Sequence, residues 1–153
     1  MTGGARKRVA QNRRARHDYF IEDTMEAGLV LTGSEVKSLR LGRGSITEAF
    51  VSDREGELYL TGAHIPVYEA SRDNHEPRRP RKLLLHKRQM NSLIGQIRRS
   101  GYTVVPLELY FNERGIAKAL LGKARGKRKE DKREAAKARD WQRDKARLMR
   151  DKG

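Results

Sequence analysis

Arg81-Lys82-Leu83-Leu84-Leu85-His86-Lys87-Arg88-Gln89-Met90-Asn91-Ser92-Leu93-Ile94-Gly95-Gln96-Ile97-Arg98-Arg99-Ser100-Gly101, with the following Tyr102-Thr103-Val104-Val105-Pro106-Leu107-Glu108-Leu109-Tyr110-Phe111, decides the fold of this chain. Met90, Leu93, Ile94 and Ile97 stand at i, i+3, i+4 and i+7, one apolar stripe of an α-helix. Lys87, Arg88, Asn91, Arg98 and Arg99 fall on the other faces. The two arginines suit the negative end of the helix dipole, and Gly101 supplies the left-handed residue that ends it. The run that follows is β-branched and aromatic and predicts a strand, in which Pro106 demands a bulge or an edge. An apolar helix with a basic outer side therefore leads into the longest strand. Together they anchor a small core with a face suited to nucleic acid.

Outward from this anchor, Asn112-Glu113-Arg114-Gly115 predicts a turn that folds a strand over 115–121 back onto Tyr110 and Phe111. Before it, residues 69–81 are charged, carry Pro77 and Pro80, and read as a surface loop. His64-Ile65-Pro66-Val67-Tyr68 predicts a short edge strand. Ser45-Ile46-Thr47-Glu48-Ala49-Phe50-Val51 alternates, and the turn at Asp53-Arg54-Glu55-Gly56 pairs it with Glu57-Leu58-Tyr59-Leu60. Ser34 is the expected N-cap of a short helix through Val36 and Leu39, stopped by Gly42-Arg43-Gly44. Residues 17–23 and 25–31 predict two strands, with Gly28 a bulge or a point of close backbone approach. Six or so short strands with a few helices predict a mainly β fold, a closed OB-like barrel whose closure removes exposed edges.

The bulk numbers agree. In 153 residues there is room for one modest domain and a remainder, with 36% apolar and 36% charged residues. The formal net charge of +15 gives a positive field whose usual partner is nucleic acid or an anionic membrane surface. No apolar stretch approaches a membrane span and the N-terminus has no apolar h-region, so a cytoplasmic, monomeric nucleic-acid-binding protein without membrane contact is expected. The chain has no cysteine, which excludes disulfides and thiolate metal sites, and no cofactor or metal is expected.

Three segments are expected: a flexible basic arm over 1–12, an RNA-binding barrel over 13–121, and a basic tail over 122–153. The tail holds fourteen Lys or Arg against six Asp or Glu, with Trp141, Leu148 and Met149 its only large apolar groups. Residues 131–149 are rich in helix formers, with Ala138, Trp141, Lys145, Leu148 and Met149 on one narrow stripe. Arg139, Arg143 and Arg147 stack at i, i+4 and i+8 and repel. The expectation is a tail unfolded when free and helical once phosphates surround it.

Several blocks resemble the SsrA-binding protein family, small protein B, which binds transfer-messenger RNA. They are Arg16-His17-Asp18-Tyr19-Phe20-Ile21, Glu26-Ala27-Gly28-Leu29, Thr32-Gly33-Ser34-Glu35-Val36-Lys37-Ser38-Leu39-Arg40, Arg81-Lys82-Leu83-Leu84-Leu85-His86, Gly101-Tyr102-Thr103-Val104-Val105-Pro106, and the tail signatures around Gly126-Lys127-Arg128, Asp131-Lys132-Arg133 and Asp140-Trp141-Gln142. The resemblance implies a six-stranded OB-like barrel that binds the tRNA-like domain of that RNA. It also implies delivery to stalled bacterial ribosomes for trans-translation, with the tail in the decoding centre and empty message channel. Glu26, Leu84 and His86 match positions implicated in the RNA contact, and Lys37, Arg40, Arg81 and Lys82 join them as candidate RNA contacts. Gly126, Lys127, Arg128, Asp131, Lys132, Arg133, Trp141, Lys145 and Met149 are the candidates for small-subunit RNA at the decoding centre. Glu130 stands where many relatives carry a histidine or aromatic residue, and a carboxylate is a poor stacking group among phosphates.

Other readings stay open on the residues alone. A basic tail is most often a solvated, nonspecific extension, and Trp141 with Met149 is what favours a tail that folds on RNA. His86 on the residues alone reads better as a helix-start residue, and only the resemblance brings a base contact level with it; Glu26 reads as a surface carboxylate or as an acceptor for a base edge or 2′-OH. His17, His64, His75 and His86 lack metal-protease spacing, so no catalytic residue is assigned. A nuclease and a structural ribosomal protein are the alternatives.

Overall fold

A computed structural model describes residues 7–126. Along the chain run β1 (Lys7–Gln11), α1 (Ala15–Asp18), β2 (Tyr19–Leu29), α2 (Gly33–Arg40), β3 (Phe50–Arg54), β4 (Glu57–Thr61), β5 (Arg81–Leu84), α3 (Lys87–Ser100), β6 (Thr103–Phe111) and β7 (Ala117–Gly126). All strand pairs are antiparallel, in the order β1-β6-β7-β2-β5-β4-β3. The mainly β class is as expected, but the closed six-stranded barrel is not. The sheet has seven strands, and β1 and β3 are its unjoined ends among the described residues. The reason is β1: it occupies the edge of β6 that closure would need, with Lys7 opposite Phe111.

This strand also corrects the expected arm. Val9 and Ala10 are too few apolar residues to announce a strand, yet Ala10 is buried, Arg8 reaches Glu108, and β6 supplies the missing backbone partners. Asn12 is buried as well; its amide spans the Ile46 and Pro106 carbonyls while its N–H donates to Leu107 O. At the other end β7 continues through Gly122 to Gly126, so no boundary falls after residue 121 and Gly126 belongs to the sheet. Its alternation persists there: Ala124 is buried opposite Ile21 and Thr103. The remaining tail candidates, Lys127, Arg128, Asp131, Lys132, Arg133, Trp141, Lys145 and Met149, lie outside the described residues, as does the helix expected over 131–149.

The anchor stretch folds as read. α3 lays Leu93 and Ile94 into the core with Met90 and Ile97 beside them, and Gly101 ends it at φ 72°. Pro106 marks a shift in the β6–β7 register, the bulge that its missing N–H requires. In place of the two strands expected over 17–23 and 25–31 there is one, Tyr19–Leu29, because a register shift between Ile21 and Asp23 lets β2 bend without breaking; His17 and Asp18 belong to α1. Gly28 crosses opposite Leu84, where a Cβ would lie 3.3 Å from Leu84 Cβ. The N-cap of α2 is Thr32, not Ser34: its hydroxyl accepts from Glu35 N, and Glu35 Oε1 accepts from Thr32 N. β3 begins only at Phe50 and joins β4 across Glu55 and Gly56, both at positive φ. Residues 64–68 form no strand, only a bridge from His64 to Ser45, since Ile65 N–H is taken by Pro77 O. No helix among the described residues is long and apolar enough to cross a membrane.

Candidate nucleic-acid interface

β5 alternates strictly, and that alternation divides the candidates. Arg81 and Leu83 point inward, Lys82 and Leu84 outward. Arg81 is therefore not an RNA contact: it is fully buried, Nε donating to Glu35 Oε2 at 2.7 Å and its two terminal nitrogens donating to Ala63 O and Pro77 O. Arg79 completes the clamp on the same carboxylate from the rim, at 2.6 and 2.9 Å. Burial alone pushes the Glu35 carboxyl up; hydrogen bonds from Arg79, the Thr32 backbone and Arg81 outweigh it and hold the group below the usual carboxylate range. Burial in turn draws the Arg81 guanidinium down, and Glu35 offsets part of that. The charge is structural. It pins the expected surface loop 69–81 onto α2, helped by buried His75, which donates from Nε2 to Ile65 O and bonds Ser34 Oγ through Nδ1.

The outer face is where candidates meet. Gly28 opposes Leu84 on the neighbouring strand, so Glu26, two residues back on the same side of β2, stands diagonal to an exposed leucine with no side chain at Gly28 between them. Leu84 is 52% exposed and the Glu26 side chain 51%. Tyr110 Oη donates to Glu26 Oε2, and Lys118 Nζ lies 3.9 Å from Oε1. A carboxylate held by a phenol from β6 and an ammonium from β7 is a preset acceptor beside an apolar contact. Lys82 shares this face, 3.5 Å from Glu57. His86 is exposed at the N-cap of α3 with no side-chain capping bond, immediately beyond the strand that carries Leu84.

Lys37 and Arg40 are not brought to that face. Both stand on α2, Lys37 Nζ 5.6 Å from the Tyr68 ring centre and the Arg40 guanidinium 4.2 Å from that of Phe111. Sequence reasoning missed Tyr110 and Lys118, and also Tyr102, whose ring faces Lys123 and Arg125 at 4.8 and 5.2 Å. The signal lay in the alternation of Glu108 and Tyr110 along an otherwise apolar strand. Among the described residues no group of His, Asp or Glu is arranged to hold a metal ion.

A family model described as SmpB protein matches residues 9–151. The chain belongs to the SmpB protein family. The SsrA-binding protein of Methylobacterium sp. (strain 4-46) is 61% identical over 150 residues, covering 97% of this chain and 96% of that one. Its counterpart from Paramagnetospirillum magneticum (strain ATCC 700264 / AMB-1) is 61% identical over 146 residues, covering 95% of each. A solved chain described as "tmRNA-SmpB: a journey to the center of the bacterial ribosome" superposes with a TM-score of 0.66 at 55% identity, covering 82% of this SmpB-family chain and 92% of that one.

Proposed function

We propose that this SmpB-family chain is a non-enzymatic escort that binds the tRNA-like domain of transfer-messenger RNA and carries it to stalled bacterial ribosomes in the cytoplasm. The observation that carries the reading is the Gly28–Leu84 crossing, which sets Glu26 and Leu84 side by side on an exposed face. Glu26 there is a fixed acceptor for a base edge or 2′-OH, Leu84 an apolar contact, and Lys82 and His86 flank them. The net charge of +15 supplies the nonspecific attraction that brings RNA to this face. The relatives named SsrA-binding protein, and the solved chain whose description names tmRNA and the ribosome, support the choice of RNA.

The division of labour is part of the proposal. Residues 7–126 hold the RNA, and 127–153 enter the decoding centre and message channel, with Lys127, Arg128, Lys132 and Arg133 on phosphates and Trp141 and Met149 as anchors. The test is to pull the tagged chain from its own cells and sequence the bound RNA. One dominant transfer-messenger RNA species is expected. A broad spread of ribosomal RNA, equal on all small subunits, would turn the reading into that of a structural ribosomal protein.

A further inference from the structure

β7 outruns one of its two neighbours. β6 begins at Thr103, opposite Ala124, whereas β2 follows β7 to the pair Tyr19–Gly126. Arg125 and Gly126 therefore belong to the β2 ladder alone. A strand end held on one side is where local opening starts. Residues 127–153, the basic tail, continue from this point.

Side chains take over where the β6 ladder stops. The register shift between Ile21 and Asp23 makes Glu22 the extra residue of a bulge, and a bulge re-aims its side chain. The Glu22 carboxylate reaches two groups outside β2. Tyr102, the residue just before β6, donates from Oη to Glu22 Oε1 at 2.9 Å, and Arg125 Nε lies 3.4 Å from Oε2. The Tyr102 ring in turn faces the Lys123 ammonium and the Arg125 guanidinium, 4.8 and 5.2 Å from its centre. Arg125 is thus tied to β2 through a carboxylate and to the start of β6 through a ring. The Arg125 and Glu22 side chains are 53% and 40% exposed, so these ties contribute little to overall stability. Their effect is local and falls on the last residues of β7 before the tail.

We propose that Glu22, Tyr102 and Arg125 are positioning residues for the tail, holding the end of β7 so that residues 127–153 leave the body in one direction. The inference rests on the division of labour proposed above and deepens it. A tail that must enter a channel is delivered by a fixed root, since a loosened tether dilutes the group it carries. Lys123 and Arg125 as plain phosphate contacts are the competing reading. Glu22 argues against it, because a carboxylate 3.4 Å from Arg125 repels phosphate and already engages the guanidinium.

The test uses the full chain, whose lack of cysteine lets two labels be placed at will. Spin labels at Asn91→Cys, exposed on α3, and at Lys129→Cys, beyond β7, report the tail root as a distribution of distances. Tyr102→Leu removes ring and hydroxyl at constant charge, and Glu22→Arg removes the carboxylate. Glu22→Arg with Arg125→Glu restores the pair with its polarity reversed and the net charge unchanged. The unmodified chain and this double variant should give one narrow distribution, Tyr102→Leu and Glu22→Arg a broad one. Without labels, the two single variants should lose tagging of stalled nascent chains several-fold and the double variant should recover it, while Tyr102→Leu keeps its transfer-messenger RNA affinity. Narrow distributions in both single variants overturn the proposal. So does a double variant as defective as Glu22→Arg, which would make Arg125 a phosphate contact, a comparison that holds even if leucine at 102 disturbs the fold. RNA affinity of Tyr102→Leu that falls in step with tagging overturns it too. If the root is narrow in the unmodified chain yet truncation after Gly126 leaves tagging intact, the functional reading of the tail falls instead.

Discussion

At the scale of single residues, the sharpest lesson is that two adjacent basic residues, Arg81 and Lys82, do opposite work. Arg81→Ala leaves the buried Glu35 carboxylate with only Arg79 and the Thr32 backbone N–H, and removal of one member of a buried pair costs about 3 kcal/mol or more. Urea unfolding should register that loss, while the salt dependence of RNA binding by the folded fraction stays as it was. Lys82→Ala should do the reverse, leaving the urea midpoint in place and lowering the slope of log affinity against log salt by roughly 0.7–0.9, one phosphate's worth. Glu35 also sets an acid limit. Its folded carboxyl titrates below its unfolded value, so the stability it contributes is complete above the ordinary carboxylate range and lost as pH falls through the folded value. Urea midpoints should drop below roughly pH 4, and Glu35→Gln should flatten that acid limb while lowering the neutral midpoint. No local feature of Arg81-Lys82-Leu83-Leu84 marks the arginine as internal, because its partner lies 46 residues earlier in the chain.

At the scale of elements, local chemistry was legible where a residue type has few uses. Gly101 and Pro106 announced a helix end and a bulge, and both are there, because only a missing Cβ or a missing N–H suits those backbone states. The α2 cap was misplaced by two residues, since Thr32 and Ser34 offer the same hydroxyl and only the reciprocal bond with Glu35 separates them. Thr32→Ala should accordingly cost about 1 kcal/mol in chemical denaturation, whereas the same change at Ser34 acts through His75 and the loop. In the β3–β4 hairpin, Glu55 sits at φ 50° before Gly56 at 80°. Asparagine tolerates that region better, so Glu55→Asn should raise the unfolding midpoint, by a stability gain of about 0.5–1 kcal/mol. An unchanged or lowered midpoint would mean that the glutamate is stabilised there by something other than its backbone.

At the scale of the whole molecule, the end of β7 matters most for how the chain divides. Truncation after Gly126 keeps every strand pair and should leave transfer-messenger RNA affinity within about tenfold, roughly 1.4 kcal/mol, while tagging of stalled nascent chains in a reconstituted system is lost. Truncation after Leu121 removes the residues that pair with Tyr19–Thr24 and Thr103–Val105, and should lower the melting temperature as well. If both truncations tag normally, the tail is a solvated charge run. By itself the sequence determined the β class, the amphipathic α3 with its caps, the basic character that points to nucleic acid, and the pairing of Glu26, Leu84 and His86 as candidates. These rest on periodicity, on residues with narrow backbone preferences, on net charge and on family resemblance, all carried within short stretches of chain. Tertiary structure alone decided that β1 takes the free edge of β6 and leaves the sheet open, that Arg81 is buried, that Tyr110 and Lys118 orient Glu26, and that Glu22 and Tyr102 meet Arg125 at the end of β7. Each of these depends on which distant strand is the neighbour, and the register between strands is set by packing over the whole sheet.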